Sequence, residues 1–166
     1  MINLDFEKEL YSTCENYLHD MNDKFNSICA FALCVDSDFT VISPAFDLID
    51  NYQNNINNDP DDSIYYRWSP AEWSYEQYNS NSFDKFSKLL NLFSSKYNNE
   101  EHYKSDIVKI ISSVFFKIRV NKLISDKVIL SFTITDSSEY DYEMLAIKSG
   151  NSDEDYHQFK TWISLL

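Results

Sequence analysis

Residues 28–35, Ile-Cys-Ala-Phe-Ala-Leu-Cys-Val, form an unbroken apolar run of strand length between Asn26-Ser27 and Asp36-Ser37-Asp38. A run with no polar alternation has no wet side, so it predicts a β-strand buried on both faces. Residues 39–43 are expected to pair back on it as a hairpin, with Asp36 and Asp38 bonding backbone amides in the turn. Upstream, Phe6, Leu10, Cys14, Tyr17, Leu18 and Met21 recur at steps of three and four, which predicts a helix from Asn3 to Asp23 with an acidic outer face. Downstream, Pro44 is expected to close the hairpin strand, and residues 45–52 to form a short helix ahead of a polar loop, Gln53 to Ser63.

The next segment, residues 65–78, is YYRWSPAEWSYEQY and carries six aromatic side chains. Ser69, Pro70 and Glu72 have the spacing of a capping box with proline at the first helical position, so a strand-like Tyr65–Trp68 is expected to bend into a helix at Pro70. Both Trp68 and Trp73 are expected in the core and some of the tyrosines at the surface. Two helices follow. One carries Phe83, Phe86, Leu90, Phe93 and Tyr97 behind an Asn81 or Ser82 cap. The other carries Ile107, Ile110, Ile111, Val114, Phe115 and Ile118. They are expected to pack as an antiparallel pair joined near Asn98 to His102. Residues 127–135 alternate as a strand with one wet side, and a last helix from Asp153 to Leu166 begins with three acids that suit its dipole. The fold class is α+β, a small, mostly antiparallel sheet packed against several helices in one domain spanning residues 1–166.

The runs CAFALCVDSDFTVISPA, YRWSPAEWSYE, FSKLLNLF and VILSFTITDS together resemble the bacterial domain of unknown function 4303 family. The likeness spans most of the chain and rests chiefly on the tryptophan-flanked Pro-Ala core. It implies a compact bacterial domain and carries over no catalytic residue. Small acidic single-domain bacterial proteins of this profile are similar to immunity proteins of secreted toxins.

Composition excludes several chemistries. Gly150 is the only glycine, so neither a Walker loop nor a G-x-G-x-x-G turn can be present. Cys14, Cys29 and Cys34 are odd in number, lack C-x-x-C spacing and follow no signal-like segment, which argues against a disulfide framework and for the cytoplasm. His19, His102 and His157 share no helical face at metal-ligand spacing. The acids of the polar loop lack the glycine and distal glutamate of an EF-hand. No nucleophile elbow is present. No catalytic, cofactor-binding or metal-ligating residue is therefore assigned, no cofactor is expected, and the chain is read as a non-enzyme.

With 27 acidic and 14 basic side chains the net charge is -13, which repels nucleic acid and anionic membranes at long range and favours a basic protein partner. Residues 1–84 hold 16 acids and three bases, whereas residues 85–127 hold nine bases, expected on the outer faces of the two central helices. Arg67, flanked by aromatics, is expected either to clamp an anionic group or, as favoured, to pair with Glu72 or another nearby acid and brace the bend. The functional expectation is a cytoplasmic immunity protein that blocks the active site of a cognate toxin domain, a nuclease or another basic toxin. Its partner contacts are assigned to Asp47, Asp50, Asp59, Asp61, Asp62, Arg67, Glu139, Asp141 and Glu143. The alternative is a small-ligand binder or enzyme with a pocket between the sheet and the Tyr65–Tyr78 segment, lined by Arg67, tyrosines and a titratable group of shifted pKa.

Overall fold

A computed structural model describes residues 4–138 and 140–165 of the chain. The expected helix is α1 (Leu4–Lys24), with Asp5 and Glu7 in its first turn and Lys24 in its last, as the helix dipole favours; Asn3 lies outside the described residues. The apolar run is β1 (Ile28–Val35), with the expected bounds. In the turn that follows, Asp36 Oδ1 accepts from the amides of Thr40 (2.6 Å) and Val41 (2.7 Å), and Oδ2 accepts from the Thr40 hydroxyl (2.6 Å). Phe39 sits there with a left-handed φ of 55°, a conformation costly for a bulky residue, and its ring is fully buried.

Pro44 does not end the hairpin strand. It lies inside β2 (Ile42–Leu48), paired with Leu33 of antiparallel β1. Its carbonyl accepts from the Gln77 amide, so its nitrogen faces the same side, away from β1, and no bond to β1 is lost. The region expected to be a loop is helical: α2 (Ile49–Asn58), a 3-10 turn at Pro60–Asp62, and α3 (Ser63–Trp68), which replaces the strand-like entry to the aromatic segment. Pro70 does start a helical turn, but only the single 3-10 turn Pro70–Glu72, without a Ser69 side-chain cap. The chain then adds β3 (Tyr75–Glu76) to the edge of β2.

A third 3-10 turn, Ser80–Phe83, leads into α4 (Asp84–Ser94), and neither Asn81 nor Ser82 caps it. Helix α5 (Glu100–Val120) is capped by Asn99, whose side chain accepts from the His102 amide at 2.9 Å. The two do not form the expected direct hairpin. Helix α5 packs chiefly on α1 and on α6 (Tyr140–Gly150), a helix missed in the sequence, while α4 touches α5 through Tyr103, whose hydroxyl donates to the carbonyl of Leu90. The last strand, β4 (Ile129–Ile134), lies parallel to β1, and the side expected to be wet is mostly covered: Ile129 and Ser131 are as buried as Leu130 and Phe132, and Thr133 is half-buried. Helix α7 (Asp153–Ile163) completes the chain with Ser152 accepting from the Asp155 amide; Leu166 lies outside the described residues.

The result is a single α+β domain with a four-stranded mixed, mostly antiparallel sheet ordered β3-β2-β1-β4. Period-two alternation in β1 sorts its residues between two cores. Phe31, Leu33 and Val35 join Phe46, Leu130 and Phe132 against α1, α4 and α5. On the opposite face Ala30, Ala32 and Cys34, with Ala45, meet Trp68, Trp73 and Phe159. Helix α6 serves both cores, giving Ala146 to the first and Ile147 to the second. It fits so closely that a Cβ on Gly150 would lie 2.9 Å from Phe115 Cβ and 2.8 Å from Leu130 Cδ1, and this approach gives the lone glycine a steric reason.

Edge strand β4 is closed by side chains instead of another strand. Asn151 donates to and accepts from the backbone of Leu130, Arg119 donates to the carbonyl of Val128, and Glu143 accepts the Ile134 amide at 2.7 Å. Covering an edge in this way satisfies backbone groups that would otherwise template pairing with another chain.

Candidate functional site

The small-residue face of the sheet leaves room for large rings, and the aromatic segment fills it. Trp68 and Trp73 are both buried, and both indole N–H groups find acceptors: Gln158 Oε1 at 3.3 Å for Trp68 and the Tyr66 carbonyl at 3.2 Å for Trp73. Trp68 also packs edge-on to Phe159, with ring centroids 5.1 Å apart. Tyr65 and Tyr78 are exposed, as expected for tyrosines with a polar tip.

The rings do not fill the face completely. A cavity of about 240 Å³ remains between the carboxyl ends of β1 and β4, the turn after α3, and helices α6 and α7. Cys34, Thr133 and Thr135 form its floor, Tyr65, Trp68, Tyr140 and Trp162 its aromatic walls, and Glu76 and Glu143 bring the carboxylates. Glu143 is only 6% exposed. One of its oxygens takes the Ile134 amide, and among the described residues it has no ion-pair partner. Burial pushes its carboxyl up to about 7, against the smaller opposing pull of the Ile134 bond. Burial first, and then the charges of Glu76 and Glu143, push the neighbouring Cys34 thiol up to about 12, so that thiol is protonated at neutral pH.

Arg67 is not in this cavity. It reaches across to α7, where its Nη2 lies 2.6 Å from Asp155 Oδ1, so its partner is an acid 88 residues away and not Glu72. Glu72 instead accepts from the Tyr65 hydroxyl at 2.9 Å. Arg67 borders a separate cavity of about 80 Å³ with Cys29, Asp47 and Lys127. Tyrosines and the shifted carboxyl of Glu143 line this cavity, whereas Arg67, expected to line a ligand pocket with them, stands outside it.

The residues assigned to partner contact divide in the same way. Asp47 is buried, and its Oδ1 accepts from the Ser74 amide (2.9 Å), the Ser74 hydroxyl (2.8 Å) and Asn51 Nδ2 (2.8 Å), which ties β2 to α2 and the segment before β3. That role and the burial of Glu143 remove both from the contact surface. Asp50, Asp61, Asp62 and Asp141 are exposed and Asp59 is half-buried; Glu139 lies outside the described residues. The basic helices are less free than expected. Lys117 and Ser113 both bond Glu7 of α1 at 2.6 Å, Lys85 pairs with Glu9, and Lys104 is buried with its ammonium 2.9 Å from Glu100. Burial alone would raise the Glu7 carboxyl, but the bonds from Lys117 and Ser113 outweigh it and hold it below the ordinary value.

Sequence reasoning missed Tyr140, Trp162, Thr133 and Thr135 as wall and floor. The signal for α6 was present as Glu143, Ala146, Ile147 and Gly150 at steps of three and one, but a carboxylate and a glycine in the buried stripe hid it. Among the described residues no helix is long and apolar enough to cross a membrane.

Against this geometry, the family model described as "Domain of unknown function (DUF4303)" matches residues 10–152, from the first turns of α1 to the start of α7. The chain belongs to that family. The DUF4303 match takes in every strand, the aromatic turn and the Glu143 helix, and the description it carries assigns no activity. No curated protein and no solved structure matches the chain.

Proposed function

We propose that this DUF4303 chain is a cytoplasmic immunity protein that binds a cognate bacterial toxin domain with a basic surface and blocks its active site, without catalysing a reaction of its own. The observation that supports this reading is the corner formed by α2, the Pro60–Asp62 turn and α3. There Asp59, Asp61 and Asp62 stand near Tyr65 and Tyr66, and none of the three acids is paired with a cation among the described residues. Tyr66 registers the crowding: partial burial, followed by the charges of Asp59, Asp62 and Glu72, raises its phenol above the ordinary value. Carboxylates at the surface, Asp61 and Asp62 exposed and Asp59 half-buried, beside tyrosines combine long-range attraction with ring area that costs little entropy to order, a pairing suited to gripping a basic enzyme. A nuclease fits, because a site built for a polyanion can be occupied by an acidic surface.

The test is co-expression with toxin domains encoded in the reading frames beside its gene. Rescue of growth and a complex that survives gel filtration at moderate salt are expected. The triple variant D59K/D61K/D62K should slow association roughly ten- to a hundredfold at low salt and flatten its salt dependence. No rescue and no complex with any of those domains would end the reading.

A further inference from the structure

We infer that the cavity walled by α3, α6 and α7 is a binding site for a small organic cation, an amine or amidine on a compact body, with Glu143 as its counter-charge. The inference is independent of the acidic corner and stands whether or not a toxin binds there. Three features of the lining point to this ligand class. Four rings, Tyr65, Trp68, Tyr140 and Trp162, surround the space, and aromatic faces attract cations through their quadrupoles. Among the described residues two carboxylates, Glu76 and Glu143, line it, and no lysine, arginine or histidine does. Glu143 is buried with one oxygen held by the Ile134 amide and with no cation among the described residues to neutralise it. A buried carboxylate without a partner is costly, and a cationic ligand removes that cost as it binds. The volume, about 240 Å³, is below the roughly 300 Å³ at which drug-sized sites begin, so the ligand is compact.

The raised carboxyl of Glu143 gives the site a pH signature. Without ligand the group is largely protonated below about 7, so binding a cation in that range must expel a proton. The other titratable groups facing it are Cys34 on β1, Glu76 on β3, Tyr65 on α3 and Tyr140 on α6. The Cys34 thiol, pushed up to about 12, and the Tyr65 phenol, raised above its ordinary value chiefly by its bond to Glu72, stay neutral over this range, while Glu76 is exposed at the rim.

The experiment is calorimetric or NMR titration of the full chain with choline, agmatine and benzamidine at millimolar concentration. Saturable binding of at least one probe is expected, strengthening about tenfold or more between pH about 5.5 and about 8, with chemical shifts changing at Trp68 and Trp162. Glu143→Gln keeps the acceptor for the Ile134 amide and should weaken binding more than about tenfold at pH 8. If that variant does not fold, the pH dependence of the unaltered protein decides. The inference is overturned if none of the three probes saturates, if affinity does not change with pH, or if a folded Glu143→Gln binds as before.

Discussion

The two faces of one strand, β1, are built on opposite rules. Toward α1, α4 and α5 it presents Phe31, Leu33 and Val35, which interlock with rings and branched chains from both flanking strands. Toward α3 and α7 it presents Ala30, Ala32 and Cys34, and the bulk comes from the covering layer, from Trp68, Trp73 and Phe159. Where the sheet supplies the volume, helices pack flush and the face is dry. Where the covering layer supplies it, large rings on short segments fill the space unevenly, and the cavity beside Glu143 is what they leave. The contrast assigns stability chiefly to the first face and the capacity to bind to the second.

Removing volume from the first face is the hardest blow to that division. Phe31→Ala deletes a fully buried ring at the centre of the sheet and should cost about 3–5 kcal/mol in urea denaturation, with unchanged m. A loss below about 1 kcal/mol would mean that this face is loosely packed and the comparison false.

Glu143 probes the second face by charge. Its folded-state pKa, about 7, lies above the ordinary carboxyl value of 4.5, so the folded protein holds this proton more tightly than the unfolded chain. Stability from this group is therefore greatest at low pH, declines as pH rises from about 4.5 to about 7, and levels off above that. The total is on the order of 3 kcal/mol for a shift of this size. Glu7 acts in the opposite sense: its lowered carboxyl contributes stability above the ordinary value that is lost as pH falls through the folded pKa. The two groups thus separate on the pH axis. Comparing unfolding of Glu143→Gln with the unaltered chain from pH 4.5 to 8 isolates the first, and an unchanged slope would show Glu143 to be solvated.

Much of the first face was legible in the sequence. An eight-residue apolar run has few alternatives, and α1 and α5 announce themselves by stripes at steps of three and four that tertiary packing then uses. The second face was not. Helix α2 has no fully buried residue and five asparagines, so neither pattern nor propensity marks it; side-chain bonds such as Asn51 to Asp47 and to the Glu72 carbonyl anchor it. In β4 the alternation of Ser131 and Thr133 with apolar neighbours reads as a wet side, because sequence does not distinguish a small polar residue facing water from one lying under a helix. Arg67 and Asp155, 88 residues apart, meet only because α3 and α7 cover the same face.

The gentlest test inverts the first. At Ala32 the cross-strand neighbours are Ala45 and Ser131, so three small side chains lie in one row beneath the rings, and Ala32 is fully buried. Ala32→Leu adds three carbons where the covering layer already occupies the space, and overpacking of this kind costs about 1–3 kcal/mol. The conservative swap Leu33→Met, one residue along and on the opposite face, keeps volume and should cost less than about 1.5 kcal/mol. If Ala32→Leu instead proves neutral or stabilising by thermal unfolding, the small-residue face has unfilled space under the tryptophans as well as beside Glu143. The cavity would then extend along the sheet, and its ligand could be larger than a compact amine.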